Sequence, residues 1–99
     1  MNALVNKLKA LSEANRFRIC MMLLEKPLCV CELLSVLDIA GGTLSNHLKI
    51  LKNAGLIDQR KDGKWIEYYT EMTFFKYIFL RDKGFGEESD DLVKFQSYE

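Results

Sequence analysis

Two cysteines one residue apart, Cys29 and Cys31, are the residues of this chain best suited to chemistry. Thiolate sulfur is polarisable and prefers soft acceptors such as As(III), Sb(III), Cd(II) and Pb(II). The stretch Leu28-Cys29-Val30-Cys31-Glu32-Leu33-Leu34 opens a short amphipathic segment, and the orphan amides and dipole of a helix start favour the thiolate form. Residues two apart on a regular helix do not face the same way. Capture of one ion by both sulfurs therefore requires the first turn to bend or unwind, which is a physical basis for a switch. The plainer alternative is that both are small hydrophobes. A third thiol, Cys20, falls on the inward stripe of the preceding helix, where core packing is its first reading and service as a third ligand its second.

A second group of capable residues follows in the segment from Thr43 to Ala54. Leu44, Leu48 and Leu51 make one apolar stripe and leave Ser45, Asn46, Lys49, Lys52 and Asn53 largely off it. Thr43, Ser45, Asn46 and Lys49 are the proposed DNA contacts: hydroxyls serve phosphates or base edges, and an asparagine amide matches adenine. Arg60, Lys61 and Lys64 then place positive charge on a hairpin, over phosphates. His47 reads as a packing or hydrogen-bonding residue, and Trp65 and Ile66 as anchors of the hairpin. Formal net charge is zero, but the distribution is uneven. Residues 43–64 carry Lys49, Lys52, Arg60, Lys61 and Lys64 against Asp58 and Asp62, a balance of +3, while residues 82–99 balance to −4. Such a patch implies nucleic-acid binding of modest, salt-sensitive affinity.

The elements that must position these groups can be read from periodicity. Leu4, Leu8 and Leu11 predict a first short helix, and Ser12 an N-cap for a second from about Glu13 to Leu24. Phe17, Cys20, Leu23 and Leu24 are its expected inward positions, and Pro27 ends it. A third helix is predicted over Val30–Leu37. After a turn, Thr43 is the expected N-cap of a fourth, which Gly55 closes in a left-handed conformation. The period then changes: Leu56–Arg60 and Lys64–Thr70 flank Asp62-Gly63, a hairpin signal. An apolar last helix is expected from about Thr73 to Arg81, broken by Gly84-Phe85-Gly86, with a loosely attached turn or helix at Asp90 to Phe95. The fold class is mainly α with a small β-hairpin: one winged helix-turn-helix domain over residues 1–99.

Ninety-nine residues, 48% of them hydrophobic, hold a core but are marginal alone. Homodimerisation is the first expectation, and the Phe74–Leu80 surface suits either core or a dimer seam. No apolar run approaches the ~20 residues that span a bilayer, and residues 1–7 lack a secretion signal. Three cysteines are no disulfide framework, so a reduced, cytoplasmic setting is expected. An enzyme is disfavoured, because no acid–base–nucleophile set, phosphate loop or catalytic metal motif is present.

The span Leu11 to Tyr69 resembles the ArsR/SmtB family of metal-responsive bacterial repressors, particularly its arsenic- and cadmium-sensing members. The resemblance is carried by Leu11-Ser12-Glu13-Ala14-Asn15-Arg16-Phe17-Arg18-Ile19, Leu28-Cys29-Val30-Cys31-Glu32-Leu33, Leu44-Ser45-Asn46-His47-Leu48-Lys49-Ile50-Leu51 and the wing with Trp65. It implies a homodimer, built through the first and last helices, on double-stranded operator DNA. It also implies release when a thiophilic ion is captured, with no cofactor required: As(III) or Sb(III) first, Cd(II) or Pb(II) next. Departures are visible. The family's Ser-Gln start of the reading helix, and its arginine before the histidine, are replaced by Ala40-Gly41 and Asn46. Leu34 stands where arsenic-sensing relatives carry another cysteine, and residues 1–10 have none. Two-thiol capture, a non-protein thiol or a ligand from the other subunit could complete the shell. The family's zinc site on the last helix is unsupported, since the one histidine lies in the reading helix and Glu87, Glu88, Asp90 and Asp91 form a charge run. The leading reading is a thiol-dependent repressor of an arsenic or heavy-metal resistance operon. Against it stand a redox-responsive or ligand-independent regulator, and a protein-interaction module that has lost sequence-specific DNA binding.

Overall fold

Leucines and isoleucines at helical spacing build the helical layer. The computed structural model describes residues 2–71 and 73–76. It begins with α1 (Asn2–Leu11) and α2 (Ala14–Glu25), joined by a tight corner. Ser12 is not the cap of α2: its hydroxyl turns back and donates to the Lys9 carbonyl at 2.7 Å. Glu13 takes the N-cap instead, its carboxylate accepting the Arg16 amide at 2.8 Å. Negative charge there suits the helix dipole, and the Arg16 amide holds the Glu13 carboxyl below its usual range. Ile19, Cys20 and Leu23 are the buried residues of α2, whereas Phe17 is 46% exposed. The buried stripe centres between Ile19 and Leu23, which puts Phe17 at its edge rather than inside it.

Next come β1 (Leu28–Cys29) and α3 (Val30–Val36), then α4 (Gly41–Asn53), β2 (Ile57–Asp62) and β3 (Trp65–Thr70). The first of these strands was not expected. It exists as the partner of β3, pairing Leu28 with Tyr68 and Cys29 with Glu67, in a three-stranded antiparallel sheet of order β1-β3-β2. In α4 the N-cap is Ala40, not Thr43, and the Leu44 amide already donates to the Ala40 carbonyl at 3.0 Å. Both glycines therefore lie in the first turn of the helix. At the other end Gly55 has φ +80°, as expected. Its amide donates to Lys52 and that of Leu56 to Leu51, each at 3.0 Å, which is a Schellman closure.

Asp62 faces Trp65 across the hairpin, so Gly63 and Lys64 form the turn, one residue later than Asp62-Gly63. Gly63 has φ +64° whereas Lys64, like every described non-glycine residue, does not have positive φ, the pattern of a type II′ turn. Leu44, Leu48 and Leu51 of α4 share one buried cluster with Ile19, Leu23 and Leu33. Residues 73–76 are helical, and Phe75 is buried in that cluster, its ring meeting Phe74 edge to face at 5.5 Å. The rest of the expected last helix, the Gly84-Phe85-Gly86 break and the expected turn at Asp90 to Phe95 lie outside the described residues. Among the described residues no helix is long and apolar enough to cross a membrane.

Candidate functional site

The short strand that periodicity missed is what places the thiols. Cys29 ends β1 and is the N-cap of α3. Its amide donates to the Glu32 carboxylate at 3.0 Å, and this bond, with a further one from the Cys29 side chain, holds the Glu32 carboxyl below its usual range. Cys29 is half-buried, Cys31 is exposed, and both are free thiols. Together with Glu32 they line one side of a cavity of about 240 Å³ whose other side is the hairpin, through Asp62, Trp65 and Glu67.

Sheet register explains this meeting. Cys29 lies opposite Glu67, and Glu67 opposite Arg60. Residues directly opposed across strands share a face, so the three form a row across the outer face of the sheet. Glu67 Oε1 is 3.4 Å from Arg60 Nε, and the Arg60 guanidinium stands 5.3 Å from the centre of the Tyr69 ring. Successive strand residues point to opposite faces; Arg60 therefore shares the thiol side of the wing while Lys61 faces away. Trp65 and Ile66 are 61% and 45% exposed, so neither anchors the hairpin in the core. Ile57 and Thr70, at the base of the hairpin, are buried, and the strands leave the core as they approach the turn. α3 lies beside β1 and β3, and its buried Leu33 shares the core cluster with Leu44, Leu48 and Leu51 of α4.

Cys20 sits elsewhere. It is fully buried in the core, does not line the cavity, and burial pushes its thiol up to about 12. Among the described residues no three His, Cys, Asp or Glu groups are gathered closely enough to hold an ion. Capture at Cys29 and Cys31 thus requires side chains or backbone to close on it.

On α4, Thr43, Ser45, Asn46 and Lys49 are all exposed; Asn46 and Lys49 lie opposite the Leu44–Leu48–Leu51 stripe, and Thr43 and Ser45 flank it. A helix presenting such a face has the dimensions and donors to enter a major groove. His47 is buried, and the Arg16 guanidinium donates to its Nδ1 at 3.3 Å. In the neutral ring the proton then sits on Nε2, 3.8 Å from Glu13 Oε1. Arg16 Nε also donates to the Ala10 carbonyl at 2.7 Å. Glu13, Arg16 and His47 thereby fix how α4 sits against the α1–α2 corner. Sequence reading missed Glu13 and Arg16 as positioning residues, because no local spacing links them to His47. Lys61 and Lys64 are exposed on the wing.

Known proteins resemble this chain in sequence and in fold. Residues 13–59 match the family described as bacterial regulatory protein, arsR family. The chain is 42% identical over 62 residues to the cadmium resistance transcriptional regulatory protein CadC of Listeria innocua, covering 62% of this chain and 52% of that one. Identity is 41% over 61 residues to the arsenical resistance operon repressor of Escherichia coli, covering 61% and 52%. The chain thus spans about half the length of these relatives. Among solved structures, HlyU from Vibrio cholerae superposes with a TM-score of 0.71 at 35% identity, covering 78% of this chain and 84% of that one. A homodimeric winged helix-turn-helix DNA-binding domain from Mycobacterium bovis shares the fold, with a TM-score of 0.70 at 21% identity over 88% and 84% of the two chains. The buried α4 stripe, the wing paired to a thiol-bearing strand and the matched span together lead to one assignment: this chain belongs to the arsR family of bacterial regulatory proteins.

Proposed function

We propose that this chain is a homodimeric transcriptional repressor, released from operator DNA when Cys29 and Cys31 capture a thiophilic ion. The observation that carries this reading is the cavity shared by both thiols and the wing hairpin. Thiolates suit As(III), Sb(III), Cd(II) and Pb(II), and the relatives named for arsenical and cadmium resistance support that class of inducer. Thr43, Ser45, Asn46 and Lys49 face the major groove, while Arg60, Lys61 and Lys64 serve phosphates. Cys20 contributes packing. The exposed Leu4, Val5 and Leu8 of α1 form the described part of the dimer seam.

Release requires the ion to bind the free shape more tightly than the DNA-bound one. A hundredfold difference corresponds to about 2.7 kcal/mol. Sequence-specific binding is tested on a duplex from the protein's own promoter region by fluorescence anisotropy, with scrambled DNA beside it. Addition of As(III), Sb(III), Cd(II) or Pb(II) should free the wild type and leave the Cys29→Ser/Cys31→Ser variant bound. Equal release of both would contradict the thiol assignment, and equal, salt-insensitive affinity for scrambled DNA would favour a protein-interaction module.

A further inference from the structure

We propose that Glu67 of the wing is the third donor for an ion held by Cys29 and Cys31, which makes the site one for a divalent thiophilic cation such as Cd(II). The inference rests on the thiol reading above and adds a donor, a charge class and a route to the wing.

Three carboxylates line the cavity with the thiols: Glu32, Asp62 and Glu67. Glu32 is already engaged by the Cys29 amide at 3.0 Å. Asp62 lies opposite Trp65 at the turn end of the hairpin, away from the register position of Cys29. Glu67 is directly opposite Cys29, and opposed residues of an antiparallel pair have Cβ atoms only about 4.5–5.5 Å apart. A sulfur and a carboxylate oxygen so placed can reach one ion. Glu67 is three-quarters covered, and its partner Arg60, at 3.4 Å, is more than half exposed. With its cationic partner largely in solvent and the contact long, the pair is weak, and Glu67 can exchange Arg60 for a cation.

The donor set selects the ion. A divalent cation binding here displaces two thiol protons to solvent and accepts two thiolates and one carboxylate, with no change of oxidation state. As(III) arrives as the neutral trihydroxide and condenses with two thiols, losing two waters and keeping one hydroxide. It needs no carboxylate. Because the donors do not converge as they stand, a cation must draw β3 and the Cys31 turn together. Arg60 then loses its partner, and the position of the wing is set by occupancy.

The test uses the full chain, with Cd(II) and As(III) affinities measured by competition for the wild type, Glu67→Gln, Asp62→Asn and Cys29→Ser/Cys31→Ser. Glu67→Gln should weaken Cd(II) binding by about tenfold or more, the range seen when groups around a metal are removed, and leave As(III) affinity unchanged. Asp62→Asn should bind both like the wild type. Cadmium X-ray absorption of the wild type should show oxygen as well as sulfur donors, a readout independent of any variant. Wild-type Cd(II) affinity in Glu67→Gln, an equal loss of As(III) affinity, or a sulfur-only shell would overturn the role of Glu67 while leaving the thiols in place. Wild-type Cd(II) affinity in the double serine variant would instead overturn the thiol reading itself.

Discussion

Cys20, Cys29 and Cys31 are one residue type in three degrees of access, and access decides what each sulfur can do. A thiol raised to about 12 by burial stays protonated and apolar at neutral pH, whereas Cys31 meets solvent and Cys29 half does. Iodoacetamide should therefore modify Cys31 and Cys29 in the native protein and reach Cys20 only on unfolding, as peptide mass analysis would show. Cys20→Ser places a hydroxyl among apolar side chains and should cost about 1–3 kcal/mol in urea unfolding, with ion-triggered release retained. Loss of release in a folded Cys20→Ser protein would return Cys20 to the ligand set. The cysteine pair itself was legible in the sequence because its chemistry lies in residue type and spacing. Glu67 was not, since only the β1–β3 register brings so distant a residue beside Cys29.

Elements were legible in proportion to their length. The leucine periods of α1, α2 and α4 and the glycine signals at Gly55 and Gly63 locate three helices and a hairpin. A strand of two residues has no period to read. The caps were misplaced for a related reason: Ser12 and Thr43 have the preferred side chains, yet Glu13 and Ala40 occupy the cap geometry. Ala40 offers no side-chain acceptor to the start of α4. Ala40→Ser should supply one and raise stability by about 1 kcal/mol, measurable as a higher urea midpoint. The caps also give an acid limb. Glu13 and Glu32 have carboxyls held below the ordinary range by backbone amides, so the folded state binds fewer protons there than the unfolded chain. Their contribution is complete above the ordinary carboxylate range and is lost as pH falls through the lowered values. Glu13→Gln should accordingly flatten the fall in stability with acid, and an unchanged pH profile would contradict the cap.

At the scale of the whole molecule, the proposed repressor needs the apolar face of α1 and the wing beside the thiols to act together. Leu4, Val5 and Leu8 are 46%, 40% and 52% exposed, lying along one side of α1. Covered by a second copy, they would place two wings and two reading helices on one duplex. Leu8→Asp should shift sedimentation toward the monomer and weaken operator binding together with it; a dimer of wild-type strength would place the seam elsewhere. If occupancy of the thiols drives release, the ion and the operator must oppose each other by the same factor, whichever binds first. The most direct measurement is the Cd(II) affinity of the free dimer against that of the operator-bound dimer. Coupling predicts weaker ion binding on DNA, by the factor with which Cd(II) weakens the operator complex, and loss of both effects in Cys29→Ser/Cys31→Ser. Equal ion affinity with and without DNA would contradict it.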